Sequence, residues 1–119
     1  MNIDELVNSI QELKLRNQLT QWVSEWKRDE SDVLQLSDII SKWHGNVWFK
    51  NNSESNEFLN QFNAFKLSAI DGLGGLTLNE RLYLFGLFEQ WDCANETEQN
   101  KIRHKLNANA IQVHLAGFG

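Results

Sequence analysis

Apolar residues recur three and four positions apart along most of the chain, the spacing of helices with one buried face. Ile3, Leu6, Val7, Ile10 and Leu13 predict a first helix from about Ile3 to Asn17, with Asp4 and Glu5 in the first turn, where the helix dipole favours acids. Leu19, Trp22, Val23 and Trp26 predict a second over Leu19 to Arg28. Ser31 or Asp32 is the expected cap of a third, which carries Val33, Leu36, Ile39, Ile40 and Trp43 to His44 and stops at Gly45-Asn46. Val47-Trp48-Phe49 is too short for a helix and ambiguous as a strand. Asn51 to Asn56 reads as an exposed loop whose Ser53 or Ser55 caps a fourth helix with Phe58, Leu59, Phe62, Phe65 and Ala69. That helix is expected to end in the glycine-rich run Asp71 to Gly75.

From Leu78 to Trp91 the pattern changes. Leu82, Tyr83, Leu84, Phe85, Leu87, Phe88 and Trp91 cannot share one helical stripe, which predicts a central helix over about residues 78–92 with neighbours on most sides. Thr77 and Glu80 stand at capping-box spacing at its start. Asn95, with Glu98 three positions on, opens a sixth helix to about Asn107; its thin apolar content, Ile102 and Leu106, places it at the surface. Residues 111–115 alternate like a strand without an evident partner, and Gly117-Phe118-Gly119 is expected to fray unless Phe118 docks. With no linker and no internal repeat, the expectation is all-α: one helical domain over 1–119, a bundle of about six helices, with 111–119 as a loosely ordered tail.

The chain has 119 residues, one cysteine, no proline and a net charge of −5. Nothing in it resembles a membrane span, and its acidic first residues lack the basic start of a signal peptide, so a cytoplasmic location is expected, with no membrane partner. Residues 1–99 hold all 16 acids against 8 bases, a net of −8, whereas residues 100–119 hold three bases and no acid. An acidic body argues against binding nucleic acid and for a basic protein partner.

Catalytic chemistry finds no support. Gly72, Gly74 and Gly75 lack the lysine and preceding strand of a phosphate loop and read as a helix cap in which glycine accepts positive φ. Cys93, His104 and His114 lack zinc-ligand spacing, and Cys93 is read as a buried or incidental thiol. His44 and His104 with Lys101 or Lys105 could mimic a ribonuclease set, but the acidic body would repel such a substrate. No catalytic residue, metal ligand or cofactor is therefore expected. The most informative group is acidic: Glu25, Asp29, Glu30, Asp32 and Asp38, with Glu54 and Glu57 further on and tryptophans interspersed. Acids steer a basic partner and aromatics anchor it. Trp22 and Trp43 lie on apolar stripes and read as core, whereas Trp48 reads as exposed.

Gly75 to Ala94, GLTLNERLYLFGLFEQWDCA, resembles a helix pattern of small bacterial immunity proteins encoded beside polymorphic toxins: Thr77, Asn79, Glu80, Arg81, Leu82, Gly86, Leu87, Trp91 and Asp92 carry the match. The small, acidic, helical chain is similar in kind to immunity proteins of contact-dependent growth inhibition systems. The resemblance implies a non-enzymatic monomer or weak dimer that neutralises a cognate toxin domain. That toxin would be a nuclease whose basic cleft is covered by acids in place of substrate phosphates. It also implies that Gly86 lets a neighbouring helix approach, and that Glu80 and Arg81 are capping and surface groups. The other reading is a helical adaptor or regulatory interaction module.

Overall fold

The computed structural model describes residues 1–108; the strand-like pattern at 111–115 and the expected tail lie outside the described residues. The fold is all-α, with no strand among the described residues. Helices α1 (Ile3–Asn8), α2 (Leu13–Arg28), α3 (Val33–Asn46) and α4 (Asn52–Phe65) come first. A π-helical turn (Lys66–Asp71) prolongs α4 and a 3-10 turn (Leu73–Gly75) follows; α5 (Leu78–Leu84), α6 (Phe88–Cys93) and α7 (Glu96–Lys105) complete the described residues. One contiguous core joins all of them except α6, which packs Trp91 against it, and its largest fully buried side chains are Trp26, Trp43 and Phe85.

The caps follow the sequence closely. Asn2 with Glu5, Asp32 with Gln35 and Thr77 with Glu80 form reciprocal capping boxes, and Asn95 accepts from the Glu98 amide at 2.9 Å. The fourth helix differs: Asn51, not Ser53 or Ser55, caps it, so residues 52–56 are its first turns and not a loop.

The expected first helix is two. It ends at Asn8, and α2 starts at Leu13 instead of Leu19. The break has no glycine or proline. It is held by Glu54 of α4, whose Oε1 accepts from the amides of Gln11 at 2.8 Å and Glu12 at 3.3 Å. Glu54 thus satisfies the amides of the two residues that lead into α2, whose N-cap, Glu12, makes no side-chain cap bond of its own. Trp22, expected in the core, lies on the exposed side of α2, while Trp26 is fully buried.

The expected central helix is also two, and it is not central. α5 ends at Leu84 and α6 begins at Phe88, with Gly86 between them at φ 65°. Leu82, Phe85 and Leu87 are buried, but Tyr83 and Phe88 face outward. A β-carbon at Gly86 would lie 2.3 Å from Asp4 Oδ2 and 2.8 Å from Lys27 Nζ. The neighbour that approaches this glycine is therefore an ion pair (Lys27 to Asp4, 2.8 Å), and the left-handed backbone adds a second reason for glycine. At Gly72 the φ is ordinary, −88°, and glycine is needed for space: a β-carbon would meet the Ser68 carbonyl at 2.7 Å.

Two charged residues expected at the surface are buried. Arg81 donates from Nε to the Leu76 carbonyl and from Nη1 to those of Leu106 and Asn107, and burial pulls its pKa down. Lys105 donates to the carbonyls of Trp26 and Ser31 and to Asp29. With Ile102 and Leu106 also buried, α7 is pinned into the structure by one face.

Candidate interaction surfaces

The eight acidic and aromatic positions singled out in the sequence do not form one surface. They separate mainly to the two ends of α2, whose sixteen residues span about 24 Å at ~1.5 Å per residue.

At the C-terminal end lie Glu25, Asp29, Glu30 and Asp32, and much of this acidity is spent on structure. Asp29 Oδ1 accepts from the Ser31 amide at 2.8 Å and pairs with Lys105 at 3.3 Å. Asp32 caps α3. Glu25 accepts a long bond from Gln21, 3.4 Å. Asp29 and Glu30 also share a cleft of about 530 Å³ with Lys27, Arg28, Lys101 and Lys105. Charges of both signs line it, and His104 sits at its wall. Asp38 stands apart, exposed on α3. This end is a compensated surface and not an acidic one.

The N-terminal end is different. Val47 leaves α3 in extended backbone, the conformation in which neighbouring side chains point to opposite sides. Phe49 turns inward against Trp43 and Phe58, at ring distances of 6.0 and 6.4 Å. Its neighbour Trp48 is thereby turned outward and is 89% exposed. The connection is pinned where it meets α2, because the Lys50 amide donates to Glu12 Oε1 at 2.5 Å. Glu54, half-buried, secures the start of α2 as described, and Glu57 is exposed one turn further along α4. The connection that carries Trp48 thus meets Glu12, and through Glu12 the α4 residue Glu54, at the start of α2, with Glu57 one turn along α4; this end is called the Trp48 edge. Glu12 was hidden from sequence reasoning because it fell inside the expected first helix.

The histidines and cysteine do not converge. His44 is packed between Phe49 and Phe58 and hydrogen-bonds Ser55 Oγ at 3.1 Å. His104 is exposed on α7 and Cys93 is exposed at the end of α6, not buried. Among the described residues no three His, Cys, Asp or Glu side chains are grouped to hold a metal ion, and no helix is long and apolar enough to cross a membrane. No protein-family model, curated protein or solved structure matches the chain.

Proposed function

We propose that the protein is an immunity-type inhibitor that binds a cognate bacterial toxin domain in the cytoplasm, with no cofactor, and docks through the Trp48 edge. The observation that carries the reading is Trp48, 89% exposed on a backbone held by Glu12 and by the buried Phe49. An outward indole on a fixed support loses little conformational freedom on binding, the property of a hot-spot anchor. The carboxylates at this end of α2 suit a basic face, as the cleft of a nuclease would present. Acids set there stand where substrate phosphates would stand and steer the encounter.

The test is protection of cells that express the toxin domain encoded beside this chain's gene. Wild-type chain should restore growth, and W48A with E57K should not, although both substitutions lie at exposed positions and leave the fold intact. Full protection by the double variant would overturn the reading.

One observation favours a second reading, an adaptor or weakly self-associating module. Tyr83 and Phe88 are exposed and, with Leu84, Asn79 and Glu80, surround a shallow depression of about 430 Å³ on α5 and α6. Under that reading Y83S with F88S abolishes the interaction and W48A leaves it unchanged.

A further inference from the structure

We draw no further inference here: the strongest candidate, the cleft of about 530 Å³ between the end of α2 and α7, selects no ligand, because charges of both signs line it and the donors of its buried lysine, Lys105, are already engaged by Trp26, Ser31 and Asp29.

Discussion

Lys105 meets Trp26 twice. Its Nζ donates to the Trp26 carbonyl, one of the free acceptors at the end of α2, and lies 4.3 Å from the centroid of the same residue's ring. A buried cation thus ties the last helix of the described chain to one of the earliest, 79 positions away. Burial pulls the Lys105 pKa down, and the carboxylates of Asp29 and Asp32 push back only in part.

That direction fixes a pH dependence. The folded value lies below the unfolded one of roughly 10.4, so between the two the unfolded chain binds more protons and stability rises with pH. This contribution is fully present above the ordinary lysine value and is lost as pH falls through the folded value. Urea unfolding of wild type and K105M across the alkaline range should show wild type gaining on the variant as pH rises. A constant difference would contradict the assignment.

Gly86 should resist substitution for two separable reasons. Left-handed backbone costs a non-glycine residue roughly 1–2 kcal/mol. A β-carbon also displaces the Asp4–Lys27 pair, which costs little because both ends are flexible. G86A should therefore lower stability by about 1–2 kcal/mol in chemical denaturation, and in a D4A background most of that loss should persist. Complete rescue by D4A would assign the glycine to space alone.

Arg81 closes the end of α7, where Asn107 takes positive φ and the Ala108 amide returns to the Arg103 carbonyl. R81K keeps the charge but loses the fork, and should cost roughly 1.5–3 kcal/mol, the worth of a hydrogen bond to a charged group. Amide exchange at Leu106 and Ala108 should quicken more than at α3. Uniform quickening would mean that Arg81 supports the whole core instead.

The sequence made legible what is local. Thr77–Glu80, Asp32 and Asn95 announce their helices because a cap is a contact across three residues. The break at Ser9 to Glu12 was invisible because its stabilising carboxylate, Glu54, comes from 43 positions away, and the apolar spacing runs through it unbroken. The break at Gly86 was marked by a glycine that reads equally well as a packing device. Arg81 reads as a surface group by the resemblance and Lys105 stands on a helix expected at the surface; what receives them are carbonyls at helix ends and in the connections beside them, which no residue type reveals. For the candidate surface, the outward Trp48 was readable from its neighbours, but the division of the acids between two ends of α2 depends on where the helices begin.

Trp48 carries the central claim, and binding separates it from stability. W48A removes an exposed side chain, so unfolding should shift by no more than about 0.5 kcal/mol. An anchor of this kind contributes about 2 kcal/mol or more, so affinity for the partner should fall by at least roughly thirtyfold. The most direct measurement is titration calorimetry of wild type and W48A against a catalytically disabled form of the toxin domain proposed as the partner. A tight one-to-one complex with wild type, weakened thirtyfold or more in W48A at unchanged stability, is the predicted result. Equal affinities for the two chains, or no complex with wild type, would contradict the account.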